Sequence, residues 1–317
     1  MKEYVVGIDI GGTNTVFGFV DQQGNCIQKT SFETSLFPEP KEFVEHLSKK
    51  IQEVLTQLPD TFIKGIGIGA PNGNFYNGTI EFAPNLKWKG IVHLTEMFKT
   101  YFHLPILLTN DANAAAIGEM IYGKAKGMKD FILITLGTGV GSGIVVNGNM
   151  VYGHDGFAGE LGHAIIVPEG RVCGCGRKGC LEAYCSAKGI IKTYLDFLKS
   201  EGITPEIPEA EINPYYIFEK AKAQDTNALK TYDYTGTILG LALANSVAYT
   251  SPEAIFIFGG ITNAGDILFE PIKKSFENNL LNIYKNKIKI LPSGIKENDA
   301  AILGAASLIW NTIATNV

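Results

Sequence analysis

Residues 5–25, VVGIDIGGTNTVFGFVDQQGN, and residues 131–149, FILITLGTGVGSGIVVNGN, share one pattern: an apolar strand, a Gly/Thr turn, a second apolar strand and a polar turn. A strand that returns at once from a glycine-rich turn makes a β-hairpin, where a mononucleotide-binding βαβ unit would show a helix. The repeat predicts two similar halves, each headed by such a hairpin. Around them, β-rich apolar runs at 4–10, 65–69, 106–109, 131–136, 254–258 and 288–291 alternate with helical stripes at 40–58, 111–122, 181–198, 226–248, 265–280 and 300–313. That alternation predicts an α/β fold with parallel pairing.

At about 150 residues per domain, 317 residues predict two domains. No charge block or Gly/Ser linker separates the halves, so the repeat alone places the boundary within 110–130. The division expected is 1–115 and 116–317, with the C-terminal helix packing back on the first domain. Hydrophobic residues at 45% and charged residues at 19% describe a chain that buries a core. The net charge of −5 excludes the global basic footprint of a nucleic-acid binder and favours small-molecule partners. No run approaches the ~20 apolar residues of a membrane span, and the N-terminus lacks a signal-peptide core, which makes the cytoplasm the expected compartment.

Glycine is in excess, 36 of 317 residues, and the hairpin turns concentrate it. Backbone N–H groups in a concave turn hold phosphate oxygens; glycines permit the close approach, and hydroxyls add donors. Asp9-Ile10-Gly11-Gly12-Thr13 and Gly137-Thr138-Gly139-Val140-Gly141-Ser142-Gly143 both supply this, although either alone also reads as a tight hairpin turn. The dinucleotide spacing G-x-G-x-x-G is absent around Gly137. The P-loop-like run from Gly118 to Ala125 lacks the terminal hydroxyl and ends a helix.

Asn110-Asp111-Ala112-Asn113 joins a strand to a helix. Asp111 there reads first as an N-cap and, against that, as a carboxylate at the carboxyl end of a parallel strand, where it would accept a hydroxyl proton. Gly159-Glu160-Leu161-Gly162-His163 confines a carboxylate and an imidazole between glycines, and Glu182 follows a cysteine cluster. In that cluster His163, Cys173, Cys175 and Cys180 have the spacing of a Cys3His zinc site, interleaved with Gly174, Gly176 and Gly179. Four protein ligands close such a site, so zinc would hold the loop rather than activate water. With one His163 nitrogen on the metal, the other is left for a substrate hydroxyl.

These motifs together resemble the ROK family (repressors, open reading frames, kinases) of the actin-like ATPase and hexokinase superfamily, over essentially the whole chain. Residues 9–13 are similar to the family's first phosphate motif, 136–143 to its second and 257–260 to its adenosine segment. Residues 156–163 followed by 173–182 resemble its signature and zinc loop. The resemblance implies two ribonuclease H-like domains with an interdomain cleft, and an ATP- and Mg2+-dependent kinase phosphorylating the 6-hydroxyl of a hexose. Glucose is the first substrate, N-acetylmannosamine or N-acetylglucosamine the alternative, and a non-catalytic sugar sensor the rival. It implies Asp111 as catalytic base and Asn85, Asn110, Glu160, His163 and Glu182 on sugar hydroxyls. Asp9, Gly11, Gly12, Thr13, Gly137, Thr138, Gly139, Gly259 and Gly260 would hold the nucleotide, and His163, Cys173, Cys175 and Cys180 structural zinc. A homo-oligomer, dimer or tetramer, is implied as well. Two departures stand out: Ile261 replaces a third glycine after Gly259-Gly260, and Ala70-Pro71-Asn72-Gly73 replaces the usual Pro-Gly pair. Family repressors carry a helix-turn-helix ahead of the first phosphate motif; the eight residues before Asp9 leave no room for one.

Overall fold

A computed structural model of the chain describes residues 2–58, 60–295 and 297–315. It divides into two compact units, Met1–Met128 with Asn149–Ala158 and Ser293–Val317, and Lys129–Gly148 with Gly159–Pro292. No helix among the described residues is long and apolar enough to cross a membrane.

The first unit runs β1 (Lys2–Ile10), β2 (Asn14–Val20), β3 (Cys26–Glu33), α1 (Pro40–Gln57), β4 (Thr61–Ala70), β5 (Gly73–Asn74), β6 (Thr79–Glu81), β7 (Ile91–Val92), α2 (Leu94–Lys99), β8 (Ile106–Asn110) and α3 (Asp111–Tyr122). The division expected at 115/116 therefore falls inside α3, while the unit's first segment ends within the 110–130 window. Its main sheet has the order β3-β2-β1-β4-β8, with β1 antiparallel to β2 and parallel to β4.

Strand β1 is buried from Tyr4 to Ile8 because the sheet is covered on both faces. Pro40, with its φ already helical, starts α1, which buries Phe43, Val44, Leu47 and Ile51 in one cluster with Ile8, Ile10, Phe17 and Ile68. Each such side chain contributes roughly 1.5–3 kcal/mol of transfer free energy. The C-terminal helix, Glu297–Thr315, covers the other face, packing Ile302, Ala306, Ile309 and Trp310 against Val5 and Val20.

That helix sits directly on backbone. Gly7 and Gly67 are register partners, and a Cβ on Gly67 would lie 1.9 Å from the Ala305 carbonyl oxygen, one on Gly7 2.2 Å from that of Ile302. Gly67→Ala must lift the helix from the sheet, and overpacking of this kind costs about 3 kcal/mol. Thermal melts should show Tm lower by roughly 5–10 °C. An unchanged Tm would contradict this packing.

The second unit contains β9 (Phe131–Leu136) and β10 (Val140–Val146). The two-residue strand β11 (Asn149–Met150) belongs to the first unit's second segment. Then come α4 (Glu182–Cys185), α5 (Ala187–Ser200), α6 (Pro214–Lys222), α7 (Thr226–Thr250), β12 (Ala254–Phe258), α8 (Asp266–Asn279) and β13 (Lys289–Pro292). Within this unit the strands run β10-β9-β12-β13, the order in which the first unit runs β2-β1-β4-β8: return strand, leading strand, then two parallel neighbours. The repeat in sequence is a repeat in topology.

One expected helix is two. The stripe at 181–198 breaks at Ser186, whose backbone is extended (φ −75°, ψ 169°) and whose hydroxyl accepts from the Gly189 N–H at 3.2 Å to cap α5. Serine favours the cap because its hydroxyl replaces a helical backbone partner.

Candidate active site

In the first unit, strand register places Asp9, Gly69 and Thr109 in one row across β1, β4 and β8, with Asn110 one step further beside Ala70. Gly69 leaves room above itself. A Cβ there would meet Asp9 Oδ1 at 3.6 Å and Asp111 Cα at 3.8 Å, so two acidic residues flank one glycine. Loss of hydration, followed by the negative charge of Asp111, pushes the Asp9 carboxyl up to about 7.

A carboxyl that ionises near 7 when folded and near 3.8 when unfolded contributes stability that is complete below the lower value. That contribution is lost as pH rises through the upper one. Asp9→Asn, neutral throughout, should therefore gain stability relative to the wild type between about pH 5 and about pH 8 in ligand-free thermal melts. A Tm difference that stays constant across that range would contradict the shift.

Of the two sequence readings of Asp111, capping falls to its neighbour. Asn110 caps α3, its Oδ1 accepting from the N–H groups of Ala112 at 2.8 Å and Asn113 at 3.2 Å. Asp111 occupies the first helical position, and its Oδ1 accepts from the Ala112 N–H at 2.8 Å. Crowding by protein pushes its carboxyl above the usual 3.8 and the Ala112 N–H pulls it back. Asp111 is exposed at this end of the helix.

The first turn is closed by the Gly11 N–H donating to Asn14 O at 2.9 Å. Gly12 lies against the backbone of Asn85, whose carbonyl oxygen would be 2.4 Å from a Cβ at residue 12, and Thr13 and Asn85 are exposed. Asn72, in the departing Pro71-Asn72-Gly73 run, has φ of 50°, the left-handed conformation that glycine supplies readily and asparagine tolerates.

In the second unit, the Gly137 N–H donates to Gly139 O at 3.0 Å across the second turn, leaving Gly137 and Thr138 exposed. Gly259, at φ 112°, follows β12 and backs onto Leu136, whose carbonyl oxygen would be 2.1 Å from a Cβ there; Gly260 is exposed. Ile261, the other departure, is 5% exposed and belongs to the unit's core.

Glu160 is exposed, and its carbonyl accepts from the His163 N–H at 3.0 Å in the short turn Leu161–His163. His163 Nδ1 lies 3.7 Å from Cys173 Sγ, and Cys175 and Cys180 Sγ are 3.7 Å apart. All four ligand atoms lie within 4.8 Å of one another. A tetrahedral ion with bonds of ~2.3 Å to sulfur and ~2.0 Å to nitrogen separates its ligands by about 3.5–3.8 Å, so the donor set suits zinc and the two 3.7 Å pairs have its spacing. Nδ1 is the ring nitrogen beside the Cys173 sulfur.

Sequence reasoning missed two partners of these residues and one contact of Glu182. Arg177, inside the cysteine loop, donates to the His163 carbonyl at 2.7 Å, and its backbone N–H is the main cause that draws the Cys175 thiol down to about 6. Its place between Cys175 and Cys180 was the available signal. Tyr152 stacks on Phe75 with ring centroids 4.2 Å apart and has its hydroxyl in hydrogen-bonding reach of the buried Thr109. Glu182 accepts from the Val140 N–H at 3.1 Å, a contact between segments far apart in sequence that nothing in the residue order announces.

Two α/β units of the same strand order, each headed by a hairpin with a glycine-rich turn, define an actin-like ATPase fold. Residues 5–312 match the ROK family, and the chain belongs to that family. It is 35% identical over 322 residues to a glucokinase of Halalkalibacterium halodurans, covering 96% of this chain and 94% of that protein. A xylose repressor of Bacillus spizizenii is 29% identical over 310 residues, covering 96% of this chain and 77% of the repressor. The ROK family glucokinase of Streptomyces griseus, solved in complex with glucose and AMPPNP, matches with a TM-score of 0.79 at 29% identity, covering 96% of this chain and 98% of that one.

Proposed function

We propose that this protein is an ATP-dependent hexose kinase that transfers the γ-phosphoryl group to the 6-hydroxyl of glucose. The observation that carries the reading is the carboxylate of Asp111 at the end of the parallel strands, across Gly69 from Asp9 and its Gly/Thr turn. In the reaction, the sugar O6 forms a bond to the γ-phosphorus, the bond to the β–γ bridging oxygen breaks and ADP leaves. Asp111 takes the proton from O6. Burial shifts its pKa upward, which makes it a better proton acceptor than an ordinary aspartate.

Phosphoryl transfer asks the protein mainly for positioning and for stabilising charge. Gly11, Gly12 and Thr13 in one turn and Gly137, Thr138 and Gly139 in the other would cradle phosphates, with Gly259 and Gly260 against the adenosine. Asp9, a carboxylate crowded by a second one, has the chemistry a divalent cation relieves, and Mg2+ bound with the nucleotide would supply that neutralising charge. Asn85, Asn110, Glu160, His163 and Glu182 would bind sugar hydroxyls. Asn110 Oδ1 is committed to its cap, so its amide N–H2 is the group it offers. Zinc on His163, Cys173, Cys175 and Cys180 would fix the loop that carries His163, with Nε2 left for a sugar hydroxyl.

A coupled ADP-release assay over glucose, mannose, N-acetylmannosamine, N-acetylglucosamine and xylose tests the reading. Turnover highest with glucose is expected. Turnover highest with an N-acetylated sugar would move the substrate within the same class. Sugar binding without ADP release would favour the sensor reading that the likeness to a xylose repressor supports.

A further inference from the structure

We propose that Glu182 is a positioning residue for the second glycine-rich turn, so that it governs nucleotide binding even when no sugar is present. The proposal rests on reading that turn as a phosphate site, and it adds to the sugar contact already proposed for the same carboxylate.

The turn between β9 and β10 is pinned at both ends by the α4–α5 corner. At its start, the Ala187 N–H donates to the Gly137 carbonyl at 2.9 Å. At its end, the Val140 N–H donates to Glu182 Oε2 at 3.1 Å. Between these anchors, Gly139 must be glycine for the carboxylate to reach in, because a Cβ there would lie 2.5 Å from Oε2. The other oxygen, Oε1, is 3.6 Å from Cys173 Sγ. One half-buried carboxylate therefore bridges the cysteine loop and the turn, and a side chain serving sugar hydroxyls alone needs neither contact.

A nest of N–H groups binds an anion only while its donors converge. With the Val140 N–H taken by Glu182, the Thr138 and Gly139 N–H groups are held in a fixed turn without Val140 competing for its own partner. A carboxylate this close also repels phosphate, so the sign of its effect on nucleotide affinity decides whether it acts as an anchor or merely as a charge.

Calorimetric titration of the zinc-loaded full chain with ADP and Mg2+, and separately with glucose, tests this. Glu182→Ala removes the acceptor and should weaken ADP binding about tenfold with no sugar present. Glu182→Gln keeps an oxygen that accepts from Val140, so ADP affinity should stay within about twofold of wild type while glucose affinity falls. Hydrogen exchange at the Val140 amide should quicken in the Ala variant and stay slow in the Gln variant; the Gln comparison stands even if the Ala variant fails to fold. Unchanged or tighter ADP binding in Glu182→Ala would overturn the proposal, as would equal losses of ADP and glucose affinity in Glu182→Gln. Wild-type protein that binds no ADP would remove the phosphate reading of the turn, and this proposal with it.

Discussion

Asp111→Asn should lower kcat by about 10²–10⁴-fold while leaving glucose affinity and melting temperature close to wild type. Asparagine keeps the size of the side chain and an oxygen that accepts from the Ala112 N–H, but it does not take a proton at neutral pH. The fold tolerates the change because Asn110 holds the cap of α3, so the helix end loses only the small dipole interaction of a first-turn carboxylate, roughly 0.3–1 kcal/mol. Removing one of two crowded acids also relieves Asp9, whose carboxyl should titrate lower in the variant. A folded, glucose-binding variant with wild-type kcat would take Asp111 out of the mechanism.

The second large effect concerns the cysteine loop. Purified protein should carry one equivalent of zinc, and Cys175→Ser should lose it and weaken glucose binding at least about tenfold. Cys175 is the exposed ligand, so its substitution opens no cavity in the core and isolates the loss of the metal. Without the ion, the imidazole of His163 and the thiol of Cys173 are joined only by a long contact of 3.7 Å, with the thiol 3.6 Å from Glu182. Elemental analysis and glucose titration on one preparation provide the check; active protein without zinc would contradict this role for the loop.

Much of this architecture is legible in the sequence where the signal is local. The two hairpins announce themselves by a repeated strand–turn–strand pattern, and residues 111–122 show both ends of α3 because an Asn-Asp pair starts it and Gly123 follows it. The four metal-ligand candidates fall within 18 residues, His163 to Cys180, so their spacing alone brings them together.

What escaped the sequence depends on distant segments or on competition between neighbours. The row of Asp9, Gly69 and Thr109 comes from the register of three strands, which no single stretch specifies. Asn110 and Asp111 are both good caps, and only backbone geometry assigns the role. Ser186 sits in an unbroken apolar stripe yet breaks it, because its hydroxyl caps α5. Strands β5 and β7 are two residues long, too short for a period of two to be visible. The approach of Asn85 to Gly12 depends on how the three short strands β5, β6 and β7, which pair in a sheet of their own, are laid down, and this leaves Asn85 looking like an ordinary loop residue in sequence.

The central claim is phosphoryl transfer from ATP to a hexose 6-hydroxyl, and 31P NMR of the wild-type protein with ATP, Mg2+ and glucose follows it atom by atom. The account predicts a new phosphomonoester resonance, coupled to the two protons on C6 and growing in step with ADP. An unchanged ATP spectrum, or ADP accompanied only by inorganic phosphate, would contradict it.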